Sequence, residues 1–226
     1  MNPALETYIL PAERRSGRSG SYGSVFPLFN DTPRPDFLKS VFRFDDITLR
    51  PGGVLEVYPG VKEAYFILPL VGSVDLLNGA NAIPVENGNW LKTGSISGDS
   101  FRIYNPFEQP VNFLLIGYDD PQTKGPDPVG DKLALDNRLD PLSISADFRV
   151  IVGRFGERES VETALPAPGI LAYVIEGIFE VKDRLLQSRD GLSVPDTMFL
   201  DFECFTAGGI MLFLCDCVPP HDSFPV

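Results

Sequence analysis

The side chains best equipped for chemistry are few and scattered. Glu63 beside Lys62, and Asp99 downstream of Lys92, each set an acid near a base. Such a pair moves protons without a metal, provided that burial separates the two pKa values. Charged groups at strand ends are also ordinary solvated surface. Three cysteines, Cys204, Cys215 and Cys217, are the thiols. Cys215 and Cys217 share one face of an extended strand but diverge too far for an easy disulfide. A redox sensor would need them exposed and of lowered pKa, whereas cysteine is among the most buried residue types. The single histidine, His221, lies in a Pro-rich tail. One imidazole rules out a His-rich zinc, iron or copper centre within one subunit and argues against Ser-His-Asp or Cys-His nucleophiles. Three arginines among glycines and serines over residues 14–24 can cradle an anion; with no strand-to-helix context behind them, they read as a solvated loop.

Short strands must position these residues. The 226 residues carry 21 Pro and 21 Gly, spread among runs of Val, Ile, Phe and Tyr. That punctuation predicts an all-β chain with little room for long helices. The clearest unit is AYVIEGIFEVKDRLLQSRDGLS over 172–193, read as a strand, a turn at Gly177, a return strand over 178–181 and a second turn at Asp190 and Gly191. A looser copy runs from residue 67 through Gly72 to the turn at Glu86, Asn87 and Gly88, which suggests two similar β domains. Strands are predicted over 6–10, 42–49, 54–58, 63–71, 73–77, 90–92, 101–104 and 111–118, then over 148–155, 160–165, 170–176, 178–181, 198–202 and 210–217. Regular short strands of this kind build a barrel or jelly roll. Residues 119–131 read as a linker by composition.

The formal net charge of −12 repels phosphates and anionic lipid headgroups, so neither nucleic acid nor a membrane surface is an expected partner. No apolar run reaches the roughly 20 residues of a membrane span, and residues 1–15 lack the pattern of a signal peptide. A cytoplasmic protein is expected, and an odd cysteine count fits a reducing compartment.

Laid out this way, the sequence resembles the pirin-like bicupin family, which includes quercetinase-type dioxygenases and redox-responsive relatives. Residues 174–181, 188–194 and 210–216 look like its C-terminal cupin. ArgProGlyGly (50–53), Glu63, Gly72, TrpLeuLysThrGly (90–94) and TyrAsnPro (104–106) look like landmarks of its N-terminal cupin. The resemblance implies two tandem jelly-roll-like barrels, an N-terminal cupin over 1–122 and a C-terminal one over 123–226. It also implies a metal site, and here the chain departs from the family. The expected His-x-His falls on Val57, Tyr58 and Pro59, the third histidine on Asp99, and the carboxylate ligand near Phe101. A lone Asp99 would hold a first-row metal weakly.

The expectation is therefore a metal-free, cofactor-free, non-catalytic pirin-like protein that binds a small molecule or a protein partner. Small β-barrels often enclose one ligand. The expected lining of the N-terminal cupin cavity is Tyr58, Glu63, Trp90, Lys92, Asp99, Arg102 and Tyr104, against the alternative that half of these point outward along alternating strands. Two other readings stay open. One is an enzyme, either a metal-independent isomerase or lyase using Glu63, Lys92 and Asp99 or a weak dioxygenase. The other is a thiol sensor using Cys204, Cys215 and Cys217.

Overall fold

The computed structural model describes residues 6–79, 81–94, 99–120, 138–143 and 148–216. Among the described residues eighteen strands follow one another: β1 (Tyr8–Leu10), β2 (Arg18–Gly20), β3 (Gly23–Pro27), β4 (Val41–Leu49), β5 (Val54–Val57), β6 (Glu63–Val71), β7 (Val74–Asn78), β8 (Asn81–Val85), β9 (Leu91–Gly94), β10 (Phe101–Tyr104), β11 (Val111–Asp119), β12 (Asp140–Ser143), β13 (Phe148–Phe155), β14 (Ser160–Glu176), β15 (Ile178–Val181), β16 (Arg184–Gln187), β17 (Gly191–Cys204) and β18 (Gly209–Asp216). The all-β architecture expected from the sequence is the one observed. Among the described residues no helix is long and apolar enough to cross a membrane.

The chain forms two compact units, Arg15–Thr32 with Val41–Leu133, and Met1–Arg14 with Pro33–Ser40 and Ala134–Val226. The first unit, the N-terminal barrel, faces a six-stranded sheet, β2-β3-β4-β11-β6-β9, with a four-stranded one, β5-β10-β7-β8. Strand alternation fills the space between them. Val25, Ile47, Leu49, Tyr65, Ile67, Phe113 and Leu115 come from one sheet, and Leu55, Val57, Leu76, Phe101 and Ile103 from the other. Asn105, fully buried, pins the β4–β5 turn to the end of β10. Its Nδ2 lies 3.0 Å from the Arg50 carbonyl, its Oδ1 accepts from Phe107 N–H at 2.9 Å, and its own N–H donates to Gly53 O at 3.0 Å.

In the second unit β14, β17 and β18 are central strands, and Phe155, Phe179, Phe202 and Phe213 build its core. The turn read at Gly177 is present, with a φ of 99° that suits glycine and a Cβ that would meet Thr206 Oγ1 at 2.4 Å, but it closes no hairpin: β14 pairs with β17 and β18, whereas β15 crosses to the other side of β17 and pairs with β17 and β16. The strand after Gly177, β15, then enters a hairpin that the sequence hides. Lys182 (φ 49°) and Asp183 (φ 58°) take the two left-handed positions of a tight hairpin leading into β16, without the Asn-Gly signature. The expected strands over 160–165 and 170–176 are one strand, β14, with a register shift between Ala164 and Ala167 that absorbs its prolines.

Residues 6–14 and 33–40, which the sequence places with the first half, associate with the second unit. Tyr8, Ile9 and Leu10 pair with Ser193, Leu192 and Gly191 of β17. Asp216 Oδ2 accepts from the N–H groups of Lys39 at 2.7 Å and Ser40 at 3.2 Å. Pairing across such separations leaves no mark on local composition.

Candidate functional site

The site grows from β4, β11 and β6, which lie side by side in the six-stranded sheet. On β4, Arg43 and Asp45 share the inward face with Ile47 and Leu49 by simple alternation. On β6, Glu63 and Tyr65 share it with Ile67. Between them Gly117 of β11 is the cross-strand neighbour of both Arg43 and Tyr65. A Cβ there would lie 2.5 Å from the Phe42 ring and 3.0 Å from Arg43 Cβ. Glycine therefore lets the aromatic ring and the guanidinium stem close over the strand.

The polar groups form a chain. Arg43 Nε donates to Asp45 Oδ2 at 2.5 Å, with the Asp45 side chain only 6% exposed. Burial pushes the Asp45 carboxyl above its ordinary range, against the opposing pull of Arg43 and then Arg18. Glu63 Oε2 accepts from Gly60 N–H at 2.6 Å and from the Tyr65 hydroxyl at 3.3 Å. Burial first, then the Glu63 charge, pushes the Tyr65 phenol up to about 12, with Arg43 acting the other way. Tyr65 stays protonated at neutral pH and serves as a donor. Its ring meets Phe42 and Phe101 edge-on, at centroid distances of 5.7 and 5.5 Å.

Beside this cluster a cavity of about 510 Å³ opens at the barrel mouth. Its walls include Arg18, Tyr22, Phe29, Phe42, Arg43 and Asp45, with Val25 and Leu55 from the core below. Arg18 arrives on β2, since Arg18 pairs across from Val25, and its Nη2 lies 3.5 Å from Asn30 Oδ1. The arginine-rich stretch read as a solvated loop is a hairpin, β2–β3. Its composition hides the strand because Gly23 serves close backbone approach: a Cβ there would lie 1.9 Å from Thr48 O.

Of the seven residues expected to line the cavity, Glu63 faces the barrel interior beside Tyr65. Tyr58, Arg102 and Tyr104 lie on the outer face of the four-stranded sheet. Arg102 and Tyr104 alternate with buried Phe101 and Ile103 and pair across from Glu56 and Val54, and Tyr58 is 71% exposed. Lys92 pairs across from Phe66, so it occupies the sheet face opposite Tyr65, and its Nζ lies 2.8 Å from Asp120 Oδ2. Trp90 rests against Phe66 at 5.6 Å. Asp99 is exposed. Glu63, Lys92 and Asp99 therefore do not meet in one cavity.

The metal implied by the cupin resemblance does not fit the donors present. Val57 is a core side chain, Tyr58 is exposed and Pro59 has no donor atom on its side chain. Among the described residues no three His, Cys, Asp or Glu side chains group closely enough to hold a metal ion. Cys204 and Cys215 are buried, and Cys204 Sγ lies 3.0 Å from the Thr206 carbonyl. Cys217 and His221 lie outside the described residues. In the native protein, iodoacetamide is expected to leave Cys204 and Cys215 unmodified and to alkylate both after unfolding, read by peptide mass mapping. Rapid native alkylation of either one would restore the sensor reading.

Residues 133–213 match the family of quercetinase C-terminal cupin domains. A search of curated proteins returns no match. Solved structures resemble nearly the whole chain. Bacterial pirin YhhW of Escherichia coli, solved in complex with nickel(II), is 14% identical, with 94% of this chain and 100% of that chain covered and a TM-score of 0.78. The YhaK protein of Escherichia coli is 16% identical, with coverages of 91% and 95% and a TM-score of 0.69. Quercetin 2,3-dioxygenase from Acinetobacter baumannii is 10% identical, with coverages of 93% and 85% and a TM-score of 0.69. At such identities the likeness of structure speaks for the fold, and the match over 133–213 speaks for the second barrel. The chain therefore has the fold of the pirin and quercetin dioxygenase structures over nearly its whole length, and its residues 133–213 match the quercetinase C-terminal cupin domain.

Proposed function

We propose that this protein is a metal-free cupin that binds a small molecule in the mouth of its N-terminal barrel. The observation that carries the reading is the cavity of about 510 Å³. It falls within the ~300–1,000 Å³ typical of ligand sites and joins apolar walls to a few placed polar groups, as such sites do. Among the described residues no set of side chains suits a metal, which favours binding without one. The dispersal of Glu63, Lys92 and Asp99 removes the main support for acid/base catalysis by those three, and a Tyr65 phenol raised to about 12 is a poor base at neutral pH.

Two measurements test the reading. Elemental mass spectrometry after exposure to iron, nickel, copper, manganese and zinc is expected to find far less than one metal per chain. A stoichiometric metal would overturn the metal-free part, as would nickel held as in the complex of the Escherichia coli pirin. An amide NMR titration with 2-naphthoate and its neutral isostere 2-naphthamide is expected to move resonances of residues 18–30, 42–45 and 55. Failure of both probes to shift those residues would overturn binding at the barrel mouth.

A further inference from the structure

We propose that the ligand of this pocket is an aromatic carboxylate, whose carboxylate group takes the place that the Asp45 side chain holds before Arg43 and Arg18. The inference rests on the ligand-binding reading above and names its ligand class. A guanidinium is a planar fork whose donors match a carboxylate. In this structure the fork of Arg43 already holds one, that of Asp45, through Nε at 2.5 Å. Arg18 adds a second positive charge that acts on the same carboxylate. The cavity wall thus carries two cations and one short acid, within a protein whose formal charge is −12. Glu63, the nearest other acid of the cluster, is occupied by Gly60 N–H and the Tyr65 hydroxyl. A local surplus of cations inside an acidic chain selects an anion that can leave water. The aromatic residues Tyr22, Phe29 and Phe42 along the cavity select an aromatic body to carry it.

The exchange is balanced in charge. The ligand brings one negative charge to the two arginines, and Asp45 gives up its place between them by taking one proton. The pocket is prepared for that transfer, because burial already favours the neutral acid and the pull of Arg43 and Arg18 is what opposes it. The charged and titratable groups around Asp45 are Arg43 on its own strand, Arg18 on β2, Tyr22 before β3, and Glu63 with Tyr65 on β6. From β3, β5 and β11 the neighbours are apolar: Pro27 and Val25, Leu55, and Leu115.

Isothermal titration calorimetry of the intact protein with 2-naphthoate, 2-naphthamide and 2-naphthyl phosphate tests the proposal. The wild type is expected to bind the carboxylate about tenfold or more tightly than the amide. Binding should take up as much as about one proton, read from the dependence of the heat on buffer ionisation enthalpy. Asp45→Asn removes the internal competitor while keeping a carbonyl oxygen for Arg43. It is expected to tighten 2-naphthoate about tenfold, to abolish proton uptake and to leave 2-naphthamide unchanged. Arg18→Gln, at an exposed position, is expected to weaken the carboxylate alone. A structural role for Asp45 would instead weaken both ligands. Equal binding of carboxylate and amide at the barrel mouth, weaker 2-naphthoate binding by Asp45→Asn, or tighter binding of the phosphate would overturn the carboxylate proposal while the ligand-binding reading stood. Failure of all three probes would overturn both.

Discussion

Arg43→Met is expected to cost about 3 kcal/mol of folding stability, because it leaves the Asp45 carboxylate buried without the guanidinium that holds it. For a chain of this length that corresponds to roughly 6–12 °C in Tm. Asp45 is 6% exposed at its side chain and Arg43 28%, so the pair is shielded enough for the discount applied to surface ion pairs not to govern. The loss should depend on pH with a definite sign. Burial already raises the folded-state pKa of Asp45 above its unfolded value of about 3.9. Between those two values the folded state binds more protons than the unfolded one, so this group's contribution is fully present below the unfolded pKa and is lost as pH rises through the folded one. Removing Arg43 takes away the largest influence that lowers that pKa, which widens the window upward. The deficit relative to wild type should therefore be greatest at pH 8 and shrink toward pH 5, measured by urea unfolding. Arg43→Met combined with Asp45→Leu should recover most of the loss, since an apolar pair needs no compensation. A deficit that stayed below about 1 kcal/mol, or that did not change with pH, would mean that Asp45 is not charged against Arg43.

The sequence carries the fold further than it carries the site. Strand β6 over 63–71 and β10 over 101–104 are legible because apolar runs and alternation end at turn residues. The turn at Gly177 is legible for the same reason, but the sequence does not show that β15 pairs with β17 and β16 rather than folding back on β14. The β2–β3 hairpin is not, because its glycines and serines serve backbone approach and present no alternating face. At the site, Glu63 stands where a cupin landmark stood in the sequence, but its partners were hidden by parity. Arg43 and Asp45 lie in a run that alternates, and reading residues 43, 45, 47 and 49 as one face places both with Ile47 and Leu49 inside the barrel. The same parity puts Arg102 and Tyr104 outside, opposite Phe101 and Ile103. Gly117, inside an otherwise apolar strand, was the available signal that a neighbouring group approaches closely. What no local pattern contains is the lateral order β4-β11-β6 that makes Arg43 and Tyr65 neighbours.

Lys92→Met is the second substitution expected to have a large effect, again about 3 kcal/mol, and it separates a structural lysine from a functional one. Lys92 Nζ lies 2.8 Å from Asp120 Oδ2, with the two side chains 14% and 3% exposed. Asp120 is held in place through its own N–H, which donates to Lys62 O at 2.8 Å at the end of the sheet. Methionine fills the space of the lysine stem but takes away the ammonium, so the loss reports the buried carboxylate rather than a cavity. Replacing Asp120 with leucine in the same chain should restore most of the stability. Because Lys92 pairs across from Phe66, on the sheet face opposite Tyr65 and the barrel interior, neither change should alter the affinity for 2-naphthoate or 2-naphthamide. Urea unfolding read beside calorimetry therefore gives two independent answers. Lost stability with retained binding makes Lys92 a structural partner of Asp120. Retained stability with lost binding would return Lys92 to the ligand site and move that site away from Arg43, Asp45 and the mouth of the barrel.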